Sequence, residues 1–226
     1  MNEVINSGEM KDSYSIYHQE YFIMAEYRKL QTENLQGIYV IPSYENSLLW
    51  FGVIFIRSGV YKGGVFRFTL TLPEKFPNDG VPVVTFTSKL YHPAVNATTG
   101  VLNLNEVFPQ WDRQQNHIWQ ILKYLHLIFN NLNFKSPANI EASDAFKNNR
   151  KVFLEKVKEC VMCSIDHIYD DPPVDDKHYI TFKPYDPELH ETAKNEMLKL
   201  SKTNEGSHGI SWVQPGSFQS FSKETT

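Results

Sequence analysis

The chain has 226 residues, of which 41% are hydrophobic and 14% aromatic, a composition typical of globular rather than disordered proteins. Its net charge of −4 excludes a strong overall attraction to nucleic acid or to an anionic membrane. Residues 1–13 carry no apolar signal segment, and the longest apolar run is too short to span a bilayer as a helix. We therefore expect a cytoplasmic protein with a flexible N-terminus at residues 1–13 and no membrane-inserted segment.

A helix and four strands are predicted next along the chain. Tyr14, Tyr17, Tyr21 and Met24 recur at helical spacing and predict an amphipathic first helix from about residue 13 to residue 30. Strand signals separated by glycine and proline turns then cover residues 38–41, 48–56, 65–72 and 83–86. The third strand alternates apolar and polar side chains, which is typical of an antiparallel sheet with one covered face. The short links between the strands predict a meander.

Three further helices are predicted after an irregular segment. Apolar residues recur at helical spacing over residues 118–132, and shorter patterns cover residues 140–147 and 150–167. The order of helix, four strands, irregular segment and three helices indicates an α+β fold, with helices packed on one face of a four-stranded antiparallel meander sheet. We expect this domain to cover residues 14–167.

A C-terminal extension at residues 168–200 is expected beyond the domain. Asp186-Pro187 favours a helix start, and the helix predicted at about 187–200 carries Leu189 and Met197 on a narrow apolar stripe. This stripe either packs on the domain or binds a partner. Residues 201–226 form a polar linker and an aromatic tail that contains Trp212 and Phe218, and this tail either docks on the core or is an interaction peptide. We treat these four apolar side chains as partner-binding candidates.

The irregular segment resembles the active-site segment of ubiquitin-conjugating enzymes. It has His92-Pro93-Ala94 for the family's His-Pro-Asn turn and Asn103 at the position of the family's cysteine, with Trp111 beyond it. Further similar motifs are Tyr61, Gly64-Val65-Phe66 and Pro73-Glu74-Lys75-Phe76-Pro77. The resemblance implies the ubiquitin-conjugating enzyme fold over residues 14–167.

Two residues that the family uses for chemistry are replaced in this chain. A thiolate is needed to attack the ubiquitin adenylate and then to release the acyl group, and the carboxamide of Asn103 can do neither. The family's turn asparagine is thought to stabilise the oxyanion, and Ala94 has no group for this role. The resemblance therefore makes His92, Pro93, Ala94 and Asn103 degenerate active-site positions of a protein that is not an enzyme, and it implies no cofactor or metal. His92 and Pro93 have a structural interpretation, as the shape of a turn.

A closer likeness covers most of the chain. It is carried by Gly37-Ile38-Tyr39-Val40, Leu49-Trp50-Phe51-Gly52-Val53, His117-Ile118-Trp119-Gln120 and Gly209-Ile210-Ser211-Trp212. These segments resemble the fused-toes or Akt-interacting protein family, called crossbronx in insects. That likeness implies a catalytically inactive scaffold or adaptor that binds protein partners in a Hook-type microtubule adaptor complex for vesicle and endosome trafficking.

Two alternatives stay open at the level of sequence. The first is a ubiquitin-binding or linkage-directing cofactor of an active ubiquitin-conjugating enzyme. The second is a working enzyme that uses Cys160 or Cys163, the only two cysteines, although both lie far in sequence from the degenerate turn. Cys160 falls on the apolar stripe of the last domain helix, where a free cysteine behaves as a small buried hydrophobe.

Overall fold

The computed structural model describes residues 7–33 and 35–204, with side chains described for residues 17–33 and 35–199. In chain order the elements are α1 (Ser7–Thr32), β1 (Ile38–Pro42), β2 (Leu49–Phe55), β3 (Val65–Thr71), β4 (Val83–Phe86), α2 (Ile118–Ile128), α3 (Ile140–Asn148), α4 (Arg150–Asp166) and α5 (Pro187–Asn204). The predicted order of elements is confirmed, and the predicted aromatic tail lies outside the described residues.

The four strands form one antiparallel sheet in the order β1-β2-β3-β4. The predicted meander is therefore confirmed. Phe66, Phe68 and Leu70 of β3 are buried on the inner face, while Arg67 and Thr69 between them lie on the outer face, as the alternation predicts. The central strand β2 is buried along most of its length on both faces. Both faces of β2 are therefore packed against other parts of the chain, and a different segment packs on each face.

Helix α2 covers the inner face and forms the centre of the core. Its buried residues are Ile118, Ile121, Leu122, Leu125 and Ile128. Residues 118–132 were predicted as one helix, but α2 ends at Ile128, because Asn130 and Asn131 follow and their amides form turn hydrogen bonds to Leu127. Leu132 is nevertheless buried, so its apolar side chain indicates a position in the core and does not indicate that the helix continues to this residue.

Helix α1 packs with a different face from the predicted one. Tyr17 and Tyr21 are 70% and 71% exposed, whereas Ile23 and Leu30 are buried in the core and Tyr27 packs against Trp50 at a ring distance of 5.5 Å. The spacing predicted the helix correctly but the packed stripe wrongly, because the helix carries two apolar stripes. It also begins at Ser7 rather than near residue 13, since polar residues can continue a helix without a periodic signal.

The outer face of the sheet is covered by residues 168–182, which we call the strap. Tyr179 contacts Phe51 at a ring distance of 5.0 Å, and Phe182 contacts Phe55 at 5.9 Å. Arg67 on β3 donates hydrogen bonds to the strap carbonyls of residues 168 and 180, at 2.7 and 3.4 Å, and lies over the Phe182 ring. The strap thus joins the domain that the sequence predicted to end at residue 167.

One carboxylate fastens the strap to the turn after β1. Asp176 accepts hydrogen bonds from the Ser43 hydroxyl at 2.6 Å and from the amides of Tyr44 and His178 at 3.2 and 2.7 Å. Burial acts to raise the pKa of Asp176, but the hydrogen bonds from Ser43 and these amides outweigh it, so the pKa lies below its usual value. His178 Nδ1 donates in turn to the Pro42 carbonyl at 2.9 Å.

The chain divides after Phe182 into two compact units, Met1–Phe182 and Lys183–Thr226. In the second unit, Asp186 caps the start of α5 by accepting hydrogen bonds from the amides of Glu188 and Leu189. The cap and the proline that follows it agree with the predicted helix start. None of the helices in the described part of the chain is long and apolar enough to cross a bilayer.

Candidate functional site

Residues 92–105, which we call the site loop, bring the degenerate positions together. Gly100 has a φ of +71° and a Cβ there would lie 2.4 Å from the Phe86 carbonyl oxygen, so only glycine fits this turn. The turn folds the loop back on itself through the bridge Val95↔Leu102. As a result, the Asn103 amide donates to the Ala94 carbonyl at 2.8 Å. The two positions at which the resemblance puts the family's cysteine and turn asparagine, Asn103 and Ala94, are therefore neighbours.

The side chain of Asn103 is engaged at both ends. Its Nδ2 donates to the Ser136 carbonyl at 2.9 Å, and its Oδ1 accepts from the Asn105 amide at 3.0 Å. The Ser136 amide donates in turn to Glu106 Oε1 at 2.6 Å. Asn103 and Glu106 therefore hold both sides of the Ser136 backbone, and the carboxamide acts as a bridge between the site loop and the segment before α3.

His92 is fully buried and holds the site loop from within. Its Nδ1 accepts from the Ala94 amide at 3.0 Å, which leaves the proton on Nε2 to be donated to the Ile128 carbonyl at 3.1 Å. Burial lowers the pKa of His92 to about 4, although the bond to the Ile128 carbonyl acts in the opposite direction. Its ring packs against Tyr61 and Phe129 at 5.4 and 5.6 Å. A neutral, enclosed imidazole of this kind has no access to a substrate.

Pro93 and Ala94 are also buried, and their contacts are with the backbone. The Pro93 carbonyl accepts from the Asn139 amide at 3.0 Å, and the Asn139 side chain caps α3 by accepting from the Ala142 amide. The methyl group of Ala94 offers no hydrogen-bond donor at the place where the resemblance puts the oxyanion-stabilising amide.

The two cysteines lie on α4, outside the site loop. Cys160 is buried, its thiol donates to the Lys89 carbonyl at 3.1 Å, and burial raises its pKa to about 11, against the effect of the Tyr91 amide that donates to it. Such a thiol is almost wholly protonated at neutral pH and is a poor nucleophile. Cys163 is half-buried one turn further along the helix.

An interaction that the sequence did not indicate lies at the start of α2. Glu26 of α1 accepts from the Ile118 amide at 2.8 Å and lies 2.7 Å from His117 Nδ1. The carboxylate thus caps the helix and pairs with the histidine. The two residues are 91 positions apart, so no local pattern could reveal the pair. Trp111 packs against Phe76 at 5.9 Å.

A cleft of about 410 Å³ opens beside Asn103. It is lined by Val81, Val83, Asn96, Thr99, Asn105 and Ala138, among others. Within residues 17–33 and 35–199, no group of three His, Cys, Asp or Glu side chains could hold a metal ion. The cleft therefore offers amide and apolar contacts to a ligand rather than a charged centre.

The partner-binding candidates of the extension fall in the second compact unit or beyond the described residues. Leu189 and Met197 lie on α5 and are 64% and 70% exposed. Trp212 and Phe218 lie outside the described residues. Among the described residues, α5 therefore presents Leu189 and Met197 to solvent, and Leu198 beside Met197 is exposed as well.

Comparison with known proteins places the chain in a family. The family model described as ubiquitin-conjugating enzyme matches residues 22–161. The chain is 47% identical to a crossbronx homolog from Culex quinquefasciatus, over 91% of this chain and 94% of that protein. It is 38% identical to AKT-interacting protein from Homo sapiens, over 94% of this chain and 75% of that protein. This chain belongs to the crossbronx and AKT-interacting protein family, within the ubiquitin-conjugating fold.

The fold of this family member is also that of a solved structure. A ubiquitin-conjugating enzyme from Plasmodium yoelii superimposes with a TM-score of 0.57 and 22% identity, covering 64% of this chain and 93% of that one. The predicted family and the predicted ubiquitin-conjugating enzyme fold are both confirmed. The strap and α5 lie beyond the matched residues 22–161 of the family model.

Proposed function

We propose that this chain is a non-catalytic scaffold of the cytoplasm, which uses a ubiquitin-conjugating fold to bind protein partners. The observation that carries the proposal is the state of Asn103: both polar ends of its carboxamide are bonded to the backbone. The resemblance puts this residue at the family's cysteine position, which supports a role without catalysis. The name of the relatives, AKT-interacting protein, describes a protein partner of those proteins and supports the same kind of role here.

The absence of turnover is tested with purified protein, activating enzyme, ATP and ubiquitin, followed by a non-reducing gel. We expect no adduct that a reductant removes. The control is the double variant Cys160→Ser and Cys163→Ser, which removes every thiol of the chain. A reductant-sensitive ubiquitin adduct on the unmodified chain that disappears in this variant would overturn the proposal.

The finer proposal is that the partner is a Hook-type coiled-coil adaptor in vesicle and endosome trafficking. The exposed apolar side chains of α5, Leu189 and Met197, support a helix-binding role, because an amphipathic helix binds a partner through anchors at helical spacing. Affinity capture with the full chain should recover the adaptor, and the double variant Leu189→Ser and Met197→Ser should lose it. The matched control exchanges the exposed neighbours, Glu188→Gln and Glu196→Gln.

A truncated chain can also be used as bait in the affinity capture, but it must retain the strap. A chain that ends at residue 182 keeps the contacts of Phe182 and Tyr179 with the sheet, whereas one that ends at residue 170 exposes Phe51 and Phe55. A second truncation after residue 204 tests Trp212 and Phe218 separately from α5. Recovery of the adaptor by the chain that ends at residue 182 would remove α5 and the aromatic tail from the proposal.

Ubiquitin binding is the second candidate function, and the open cleft of about 410 Å³ beside Asn103 favours it. If the chain is titrated into isotope-labelled ubiquitin, the ubiquitin resonances should then show saturable chemical-shift changes. Replacing Val83 at the mouth of the cleft with Arg should abolish the shifts, while Val107→Arg, an exposed valine outside the lining, should leave them. Unchanged ubiquitin spectra throughout the titration would exclude this function.

A further inference from the structure

An apolar groove runs along the outer face of the sheet between β1 and the strap, and we call it the outer-face groove. Its volume is about 590 Å³, within the range of sites that bind ligands. Val53 is 1% exposed and forms part of its base, while Tyr39 and Ile41 of β1 line one side and Ile180 and Phe182 line the other. Tyr39 is 59% exposed. The groove therefore has a buried base and is open at its β1 side.

The strap holds the wall of this groove in place. Phe182 is bracketed by the Phe55 ring at 5.9 Å and by the Arg67 guanidinium at 5.0 Å from its ring centre. Arg67 also donates to the Ile180 carbonyl, so both wall residues are tied to β3. Because the wall is preformed, a ligand would not have to order it on binding.

The groove has one charged lining residue, Arg57. It is exposed, and no carboxylate among the described residues lies within 4.0 Å of it. Arg57 follows Phe55 by two positions, which corresponds to about 7 Å of extended chain. Within the described part of the chain this cation thus has no acidic partner and lies beside an apolar wall, so an acidic group next to an apolar side chain complements both.

We propose that the outer-face groove binds an extended segment of a protein partner that carries a large apolar residue followed two positions later by Asp or Glu. Alternate residues of an extended segment share one face, so both side chains reach the groove together. The apolar side chain fills the space between Tyr39 and Phe182, beside Phe55, and the carboxylate pairs with the Arg57 guanidinium in a bidentate contact. This inference rests on the proposed scaffold function and names the chemistry of one partner segment.

The experiment selects ligands from random peptides displayed on phage, with the full chain as bait. We expect enrichment of peptides with Phe, Leu or Ile two positions before Asp or Glu. An enriched peptide is then titrated into protein with labelled isoleucine methyl groups, where Ile41 and Ile180 should shift and Ile165, which is exposed on α4, should not. No enrichment, or shifts confined to residues outside the groove, would overturn the proposal.

Reversing the charge of Arg57 tests whether its guanidinium pairs with the acidic residue of the peptide. Arg57→Glu should weaken the binding of the acidic peptide by at least roughly tenfold. The variant should instead bind the analogue in which lysine replaces the acidic residue. Lys135→Glu is the matched control, since Lys135 is also an exposed cation but lies outside the groove lining. Equal losses in the two variants would mean that only net charge matters, which contradicts the proposal.

The same samples test two other possible occupants of the outer-face groove, the chain's own tail and a second copy of the chain. If removing residues 205–226 alone shifts Ile41 and Ile180, the chain's own tail fills the groove and the proposal is wrong. If Tyr39→Ser alters the sedimentation of the free protein while Tyr21→Ser does not, the occupant is a second copy, and the proposal is again wrong. None of these measurements uses α5 variants or ubiquitin, so a failure here is separate from a failure of the proposed function.

Discussion

The site loop and the strap are both irregular segments fixed by polar groups, but their surroundings differ. In the site loop, His92 is enclosed by aromatic rings and bonded to the Ile128 carbonyl and the Ala94 amide. In the strap, Asp176 and Arg67 hold backbone groups near the surface of the outer face. Local stability follows the number of buried contacts. We therefore expect that the site loop cannot open without loss of the core, whereas the strap can detach from a folded domain.

The largest expected effect is that of His92→Ala. It leaves a cavity among Tyr61, Phe129 and Phe134 and removes the partners of two buried backbone groups, so the free energy of unfolding should fall by about 4 kcal/mol. Urea unfolding followed by fluorescence measures this change. The control is His167→Ala at an exposed pair with Asp170, for which we expect less than about 0.5 kcal/mol. Similar costs for both variants would show that the site loop is not held from within.

The second expected effect is a dependence of the free energy of unfolding on pH, caused by the titration of His92. Its pKa is about 4 in the folded protein and near 6.5 when it is unfolded, so acid protonates the unfolded chain first and stability falls as the pH falls below 6.5. Each pH unit in this window costs about 1.4 kcal/mol, or about 2 kcal/mol by about pH 5. Urea unfolding at several pH values measures the slope. His92→Gln can keep both hydrogen bonds without an ionisable group, and an unchanged slope in this variant would assign the dependence to other groups.

The third effect separates the strap from the core. Arg67→Met removes the bonds to the carbonyls of Ile168 and Ile180 and the contact with Phe182, at a cost of about 1.5 kcal/mol. Trypsin should then cleave faster after Lys177 in the strap, while circular dichroism stays that of a folded domain. Arg113→Met, which loses one surface bond to Asn78, is the control. Loss of the whole fold in Arg67→Met would show that the strap and the core are one unit.

The sequence predicted the site loop better than the strap for a physical reason. Pro93 and Gly100 restrict the backbone locally, and the sheet and α2 follow from periods of two and 3.6 residues, so these features are visible in short windows. The strap has no period. Its contacts join Ser43 to Asp176 across 133 positions, and such pairs leave no local signal.

The face of α1 was misassigned for a related reason. Periodicity shows which residues share a stripe, but it does not show which of two stripes meets the core. Tyr17 and Tyr21 form the more conspicuous stripe, yet Ile23 and Leu30 are buried in the same core cluster as residues of α2 and the sheet. The cap that Glu26 gives to α2 belongs to this buried side and could not be predicted without it.

The smallest expected effect concerns Asn103, which belongs to the site loop but forms its side-chain bonds at the surface. Its bonds to Ser136 and Asn105 lie at the surface, so Asn103→Ala should lower the free energy of unfolding by only about 1 kcal/mol. Asn103→Asp keeps an acceptor for the Asn105 amide but places a second oxygen against the Ser136 carbonyl, so it should not restore the loss. Hydrogen exchange at the Asn105 amide reports its bond to Asn103 Oδ1 directly, and this amide should exchange faster in the alanine variant only. The Ser136 amide donates to Glu106, so its exchange reports the Asn103 bond to the Ser136 carbonyl only through the position of that segment, and it should become faster in both variants. If neither variant changes exchange at Ser136, the carboxamide does not tie the segment before α3 to the site loop, and its structural role is limited to the bond with the Asn105 amide.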